Sequence, residues 1–348
     1  MKPNIKKWEE EKMKSKVITK GALLILVGIV SAVLVFPTVS APAADKKVEW
    51  RLVSGPEGSF GYVCATVWAK YLKDKIKNFV LYPEAGPTVK AFRKLAEGNL
   101  MATYGNTVLA EQSNTNTGIF EKAPLKGLKP QHALPIVPFT YFMVVDKKSN
   151  MHTMDDLVGR NATITTPAHG IFPPAMYVMQ ALGLWGKYNQ KNMALADMAS
   201  AMTAGIVESC MMFVASDGTT AGALREVEAR IDLRPLTFTE EQKKKIQAIP
   251  GITFSEAKNV FKEIKQDKIP GWTYYYGWYF SPKADPDIVY QIVKTTYEGR
   301  KELAKFAIGF TPWSERPGEL LKEAFARTPN VPLHAGAAKF YKEIGIIK

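Results

Sequence analysis

The segment Ser54–Tyr62 reads SGPEGSFGY and separates a β-like run, Val48–Val53, from an apolar-periodic run, Tyr62–Lys75. This pattern predicts a strand, a glycine-rich turn and a helix, the unit from which an α/β fold is built. The N-terminus of a helix presents unpaired backbone N–H groups, and the glycines let a ligand approach the backbone closely. Strand-to-helix turns are also rich in glycine for steric reasons, so this segment alone leaves a ligand site and an ordinary turn equally open.

The chain has 348 residues, which is enough for two domains with sizeable cores. Its hydrophobic content of 46% and charged content of 23% are typical of a globular protein. The net charge is +13, and residues 1–43 contribute seven lysines and three glutamates to it, which leaves about +9 for the remainder. Apart from Lys243–Lys245 the basic residues are scattered, with no aromatic-interleaved stripe. The composition therefore indicates a solvated basic surface and no nucleic-acid partner.

Residues 1–43 have the pattern of an export segment. The first twenty residues are charged, Gly21–Phe36 is apolar or small, and Ala41–Ala43 has the small-x-small form of a signal-peptidase site. This apolar run is shorter than the roughly 20 residues that a membrane span needs, although the uncharged stretch continues to Ala44. A cleaved signal peptide and a retained N-terminal anchor both stay open, and either one places the rest of the chain outside the cytoplasm.

From Val48 onward, short apolar runs alternate with amphipathic stretches, which indicates an α/β fold with mostly parallel strands. Two long extended segments, 134–146 and 272–281, predict two lobes joined by two extended connectors. A helix is predicted over 254–266. The expected organisation is an export segment over 1–43, lobe I over 44–145, lobe II over 146–271, and a return connector with C-terminal helices packing on lobe I over 272–348.

The sequence contains no recognisable catalytic or metal-binding motif. Its four histidines lack metal-ligand spacing, and neither a nucleophile elbow nor a phosphate-binding loop occurs. Cys64 and Cys210 stand among apolar residues, a pattern more typical of small buried side chains than of a disulfide. We therefore expect a protein that is not an enzyme and that needs no metal or cofactor.

Polar, glycine-containing turns follow four of the candidate strands, at 54–62, 104–107, 166–170 and 216–220. Ligands of open α/β sheets bind outside the carboxyl ends of the strands, and two of these turns fall in each predicted lobe. Each turn taken singly could be only a helix cap, but four together favour a binding cleft. The candidate ligand-binding residues are Ser54, Ser59, Phe60, Tyr62, Asn106, Thr107, Thr166, His169, Gly170, Ser216 and Asp217.

These residues predict a small carboxylate with an apolar body. Backbone N–H groups of the turn Gly58–Gly61 would hold the carboxylate. Asp217, if it points inward, would favour an ammonium or hydroxyl group at the other end. Aromatic residues alternate along Trp272–Phe280, and we expect one face of that strand to be buried and the other to line the cleft together with Phe60 and Tyr62.

Several stretches resemble the TAXI-type solute receptors of TRAP transporters, over residues 48–348. Ser54–Leu72 is similar to that family's Thr-Gly-Gly-x-Gly-Gly-x-Tyr-Tyr opening and the helix after it, and Met154–Gly159 is similar to the start of its second lobe. Pro332–Tyr341 resembles its C-terminal signature. The sequence departs from the family at the paired tyrosine, which is Gly61-Tyr62 here, and at the lobe-two loop, Ala168–Ile171.

The resemblance implies a type II periplasmic-binding-protein fold. It also implies a solute receptor outside the cytoplasm. This monomeric receptor would bind a small solute between its lobes and deliver it to the membrane subunits of a TRAP permease. A receptor of the same build that serves a signalling partner is an alternative. An exported enzyme on this scaffold and a membrane-tethered structural protein are less favoured alternatives.

Overall fold

The computed structural model describes residues 47–167, 169–215, 218, 220–262, 264 and 267–348, and the predicted export segment lies outside these ranges. Strands and helices alternate, which confirms the predicted α/β class. The strands are β1 (Val48–Val53), β2 (Phe79–Glu84), β3 (Ala102–Asn106), β4 (Gln131–Asp146), β5 (Asn161–Thr163), β6 (Asn189–Gln190), β7 (Ser209–Ala215), β8 (Leu233–Pro235), β9 (Thr253–Lys258) and β10 (Lys268–Phe280).

The α-helices flank this sheet and follow most of its strands. They are α1 (Phe60–Lys75), α2 (Thr88–Ala96), α3 (Thr107–Thr115), α4 (Phe172–Ala181), α5 (Met198–Thr203), α6 (Gly222–Arg230), α7 (Glu240–Gln247), α8 (Pro286–Glu298), α9 (Arg300–Phe306), α10 (Thr311–Glu315), α11 (Pro317–Arg327) and α12 (Ala335–Glu343). Short 3₁₀ turns cover Gly118–Phe120, Met154–Leu157, Leu195–Asp197 and Ile308–Phe310.

The described strands form a sheet in the order β2-β1-β3-β10-β4-β7-β5-β6, with β8 beside β4 and β9 beside β10. The pairs at the two ends of the sheet are parallel, as the alternating pattern predicts. The pairs made by β4 and β10 are antiparallel, which the sequence pattern did not indicate. The sheet is therefore mixed, with two parallel ends joined by an antiparallel centre.

The two long strands connect the halves of the sheet. β4 and β10 pair from Trp272 opposite Tyr141 to Phe280 opposite Gln131, with register shifts between Tyr276 and Gly277 and between Trp278 and Tyr279. The C-terminal end of β10 also pairs with β3, and the C-terminal half of β4 also pairs with β7. Their runs of apolar residues are buried on both faces, as expected of strands in the middle of a covered sheet. The predicted pair of extended connectors is thus confirmed.

Helix α1 shows how the sequence directs the local fold. Ser59 is its N-cap and accepts a hydrogen bond from the Tyr62 N–H at 3.4 Å, while Lys73 and Lys75 complement the partial negative charge of its C-terminus. Its buried stripe includes Trp68, whose indole N–H donates to the Thr296 hydroxyl of α8 at 2.8 Å. The helix is therefore fixed at both ends and along its buried face.

Two predictions about local structure are wrong. The segment predicted as a helix over 254–266 begins as strand β9, because its backbone pairs with the otherwise open edge of β10 from Lys268 to Thr273. Pairing along a sheet edge overrides a weak local preference for helix. The aromatic strand Trp272–Phe280 is buried on both of its faces, and Tyr276 is its one residue that lines the cavity described below.

Candidate functional site

A cavity of about 390 Å³ lies at the strand ends, and we call it the central cavity. Its lining comes from both ends of the sheet and from the two long strands. The lining residues from the half of the sheet that contains β1, β2 and β3 are Ser54, Gly55, Pro56, Gly58, Ser59, Phe60, Gly61, Thr88 and Tyr104. The other lining residues are Phe139, Tyr141, His169, Gly170, Ile171, Leu195, Phe213, Thr220, Ala221, Gly222 and Tyr276.

Four helices begin at the central cavity. The first turns of α1 and α2, and the residues at the starts of α4 and α6, contribute to its lining. None of the four has an acidic residue in its first turn, and α2, α4 and α6 have no side-chain cap. Each N-terminus carries a partial positive charge, so the four together favour a bound anion. The first turns of α1, α2 and α6 also have backbone N–H groups that can donate to it. In α4 the Phe172 N–H donates to the His169 carbonyl, and Pro173 and Pro174 have no N–H, so this helix contributes only its partial charge.

Gly61 brings α1 against the cavity wall. A Cβ built on Gly61 would lie 2.4 Å from the Tyr104 ring and 2.7 Å from the Ser54 carbonyl oxygen. Only glycine allows this approach, since real Cβ atoms do not come so close to a ring or to backbone. This contact explains why the position has no side chain, whereas the TAXI-type motif has a tyrosine there.

The walls of the central cavity are largely aromatic. The Phe139 ring meets three other lining rings nearly at right angles: Phe60 at 4.9 Å, Phe213 at 5.4 Å and Tyr276 at 5.6 Å between centroids. Tyr104 stacks on Tyr276 at 5.4 Å. Edge-to-face pairs of this kind are favourable beyond the area they bury, so the rings hold one another in place.

Two phenols provide polar groups within this aromatic wall. The Tyr141 hydroxyl donates to the Tyr276 hydroxyl oxygen at 3.2 Å. Burial raises the pKa of Tyr276 to about 12, so the phenol is neutral at physiological pH. Because the Tyr276 oxygen already accepts a hydrogen bond from Tyr141, its own proton can be donated to an acceptor on a ligand.

His169 adds a further donor. Its Nδ1 accepts a hydrogen bond from the Ile171 N–H at 3.4 Å, and burial lowers its pKa, so the ring is neutral at physiological pH. A neutral imidazole with Nδ1 as acceptor carries its proton on Nε2. The ring can therefore donate one hydrogen bond from Nε2.

The structure brings some of the predicted site residues together and places others elsewhere. Those that line the central cavity are Ser54, Ser59, Phe60, His169 and Gly170. Those that do not line it are Tyr62, Asn106, Thr107 and Thr166. Ser216 and Asp217 lie outside the described residues, so their place among the ligand-binding residues stays a prediction, as does the ammonium or hydroxyl partner for Asp217 if it points inward.

Asn106 and Thr107 have structural roles that the sequence did not distinguish from ligand binding. The Asn106 side chain is the N-cap of α3 and accepts from the Leu109 N–H at 3.0 Å. The Thr107 hydroxyl donates to the Gly251 carbonyl at 2.6 Å and accepts from the Tyr275 N–H at 3.2 Å. Both residues are fully buried. They fix the end of β3 and do not offer these groups to a ligand.

Several lining residues were missed by reasoning from the sequence. Phe139 and Tyr141 come from the first connector, Phe213 comes from β7, and Thr88 comes from the start of α2. Strand periodicity predicts that such apolar residues are buried but cannot tell a core position from a cavity wall. Thr88 could have been found, because Pro87 before it signals a helix N-terminus at the end of β2.

Other possible sites are less well formed. A more open depression of about 860 Å³ lies on the surface beside Tyr71, Lys75 and Lys305, and none of the four strand-end turns reaches it. Within the described ranges, no cluster of His, Cys, Asp or Glu is placed to hold a metal ion. In the same part of the chain, no helix is both long and apolar enough to span a bilayer. Cys64 and Cys210 are both buried and are not joined in a disulfide.

An α/β sheet whose halves are joined by two long strands, with a cavity at the strand ends, is the architecture of periplasmic binding proteins. The solved structure of the periplasmic sulfonate-binding protein SsuA from Methylobacillus flagellatus KT has this fold. It matches with a TM-score of 0.50 at 13% identity, over 86% of this chain and 96% of that chain. The fold is therefore that of the two-lobed, type II periplasmic binding proteins, as predicted.

Two further solved structures are similar at lower TM-scores. The alkanesulfonate-binding protein SsuA from Xanthomonas axonopodis pv. citri, bound to MOPS, matches at 0.45 and 15% identity over 88% of this chain and 96% of that one. Lactococcal OpuAC, in a closed form with glycine betaine, matches at 0.46 and 12% identity over 81% of this chain and 100% of that one.

The chain belongs to the NMT1-like family, whose model matches residues 60–345. This match covers every described strand except β1, and it covers all four helices that begin at the central cavity. The resemblance to TAXI-type receptors of TRAP transporters stays a prediction.

Proposed function

We propose that this chain is an extracytoplasmic solute receptor that binds a small organic acid in the central cavity and delivers it to a membrane permease. The observation that carries the proposal is the convergence of four helix N-termini on a cavity whose described lining residues include no charged side chain. The N–H groups and hydroxyls of such a site can satisfy a carboxylate without a buried salt bridge.

The proposed mechanism is closure of two lobes on the ligand. We assign lobe I to residues 44–145, lobe II to 146–271, and the return connector with the C-terminal helices to 272–348. A ligand that contacts both lobes only when they are close together stabilises the closed state by its differential affinity. The lining supports this mechanism, because Ser59 and Thr88 come from the first lobe whereas His169 and Thr220 come from the second.

The permease partner has two candidates. The TAXI-type resemblance favours a TRAP permease driven by an ion gradient. The name of the matching SsuA structure, a sulfonate ABC transporter component, favours an ATP-driven permease instead. Uptake into right-side-out membrane vesicles, which contain no ATP, separates them: added receptor should restore uptake under an imposed ion gradient for a TRAP system and should fail to do so for an ABC system.

Two other functions are weaker alternatives. A sensing receptor would use the same cavity and closure but a signalling partner, and it would bind solute without supporting uptake. An enzyme on this scaffold would turn the bound solute over. The central cavity argues for binding, because among its described lining residues no nucleophile is hydrogen-bonded to His169, the one imidazole there. We also propose that the receptor is a monomer that needs no cofactor.

The binding proposal is tested by thermal shift on the purified full-length chain against organic acids, amino acids and neutral sugars. A ligand at about a hundred times its dissociation constant should stabilise the fold by about 2.7 kcal/mol, a readily measured rise in melting temperature. Organic acids should raise the melting temperature. A shift produced by neutral sugars alone would contradict the proposal.

A further inference from the structure

We propose that the ligand is an aromatic monocarboxylate: one acidic group on a planar, single-ring body, without a second full charge. This inference rests on the proposed function, and it specifies which organic acids the central cavity selects. It is carried by three features of the lining: the ring geometry, the lack of charged side chains and the volume.

The ring geometry favours a planar body. Phe139 stands nearly perpendicular to both Phe60 and Phe213, with interplanar angles of 84° and 90°. Walls that meet at a right angle offer a flat ligand ring the face of one side chain and the edge of the next. Both arrangements are favourable for aromatic pairs, whereas a saturated ring has no quadrupole with which to exploit them.

The polar groups argue against a second charge. The described lining contains no Asp, Glu, Lys or Arg, so none of these residues offers an ammonium group a counter-ion in exchange for its hydration. A second carboxylate would likewise be desolvated beside neutral phenols. The proton of Tyr276, and the Nε2 proton of His169, suit a neutral acceptor such as a hydroxyl, ether or carbonyl oxygen on the ligand ring.

The volume suits a body with one aromatic ring. An apolar cavity of roughly 150 Å³ is enough to hold benzene. The central cavity, at about 390 Å³, therefore has room for one substituted ring, a short acidic side chain and a few water molecules. Phe60 and Phe213 are only half-buried in the structure, so both retain surface that a ligand can cover.

The test uses a set of ligands built on one scaffold, with binding to the full-length chain measured by calorimetry. The reference is 3-phenylpropanoate. 3-Cyclohexylpropanoate removes the aromaticity, 3-phenylpropan-1-ol removes the charge, L-phenylalanine adds an ammonium, and glutarate replaces the ring with a second carboxylate. We expect 3-phenylpropanoate to bind at least about 10-fold more tightly than each of the others. Against 3-cyclohexylpropanoate and glutarate the difference comes from lost ring contacts, each worth about 2- to 12-fold. Against 3-phenylpropan-1-ol it comes from the lost negative charge, and against L-phenylalanine from an ammonium that loses its hydration.

Variants of the wall test the same inference from the protein side. Phe213→Leu and Phe60→Leu should each weaken 3-phenylpropanoate by about 2- to 12-fold and leave 3-cyclohexylpropanoate nearly unchanged. Phe254→Leu is a matched control, because this half-buried ring packs on Phe238 and does not line the central cavity. It should change neither affinity.

The outcomes separate the two proposals. Equal binding of the aromatic and cyclohexyl acids would overturn the aromatic body, and tighter binding of L-phenylalanine or glutarate would overturn the exclusion of a second charge. Either result would leave an organic-acid receptor standing. Equal binding of the alcohol and the acids would overturn the anion requirement and the proposed function with it. Failure of every acid in the set to bind would contradict both proposals.

Discussion

The backbone of Gly170 lies directly against the side chain of Thr88: a Cβ built on Gly170 would be 3.1 Å from the Thr88 hydroxyl oxygen and 3.7 Å from its Cβ. Thr88 begins α2 in proposed lobe I, and Gly170 precedes α4 in proposed lobe II. Both line the central cavity. This contact joins the two proposed lobes beside the central cavity, so we expect its fit to control how fully they close.

The first prediction concerns this contact. Gly170→Ala places a methyl group against the Thr88 hydroxyl and should weaken ligand binding several-fold, because closure then requires a shift of a few tenths of an ångström. Thr88→Ala removes that oxygen, so the double variant should bind more tightly than the product of the two single effects predicts. Calorimetry on all four proteins measures the coupling. Strictly additive effects would show that the contact does not govern closure.

The second prediction compares two glycines at helix N-termini. Gly61→Ala should destabilise the fold by about 1–3 kcal/mol, because its Cβ would meet the Tyr104 ring and the Ser54 carbonyl, neither of which can easily move. Gly222, at the start of α6, has nothing within 4 Å of a built Cβ. Gly222→Ala should therefore be neutral or stabilising by up to about 1 kcal/mol. Urea unfolding of both variants provides the comparison, and a similar loss in both would refute the steric explanation.

The third prediction separates a cap from a ligand contact. Asn106→Ala should lower the free energy of unfolding by about 0.5–2 kcal/mol, because it removes the cap of α3, and should change ligand affinity little. Asn106→Ser retains a capping oxygen and should recover most of that loss. Ser59→Ala should instead weaken ligand binding, since Ser59 lines the central cavity. A large affinity loss in Asn106→Ala alone would reverse these roles.

These residues show how far the sequence could predict the site. The strand–turn–helix at Ser54–Tyr62 and the two extended connectors follow from local periodicity, so they could be found without a structure. Asn106 and Ser59 look alike in sequence, because each is a polar residue at the start of a helix. Only the packing of β3 against β10 buries one of them, whereas the other remains at the cavity wall. That difference arises from contacts between residues far apart in the chain.

The aromatic walls and β9 illustrate the same limit. Phe139 and Trp272 belong to equally apolar strands, yet Phe139 lines the cavity and Trp272 lies in the core. Residues 253–258 became a strand because β10 offered an unpaired edge, which no local pattern reveals. The sequence could therefore predict the class of fold and half of the polar lining, while the shape of the cavity depends on tertiary pairing.

The fourth prediction concerns pH. His132 is buried, and burial lowers its pKa from 6.5 to about 3. The Thr328 hydroxyl donates to the Ala324 carbonyl, so His132 Nε2 donates to the Thr328 oxygen, at 2.6 Å, and the ring is neutral. The unfolded chain binds a proton first as the pH falls. The stability due to the neutral ring is thus complete above about pH 6.5 and is lost between pH 6.5 and about 3, by up to about 5 kcal/mol.

The matching experiment is a series of urea unfolding curves between pH 7.5 and 4. His132→Gln retains an N–H donor but cannot take up a proton, so its stability should fall less steeply with acid than that of the wild-type chain. His152→Gln serves as the control, because it makes the same substitution at an exposed histidine. Parallel pH profiles for the wild type and His132→Gln would exclude this role for His132.

The central claim, that two lobes close around an organic acid, is tested most directly by a distance measurement between them. Tyr82 and Ile206 are exposed residues in proposed lobes I and II, and cysteines introduced there can carry spin labels, since Cys64 and Cys210 are buried. Double electron–electron resonance on the full-length chain should show a broad distance distribution without ligand. With the organic acid that gives the largest melting shift, at saturation, we expect one narrower distribution at shorter distance. An unchanged distribution with that acid bound would contradict the account.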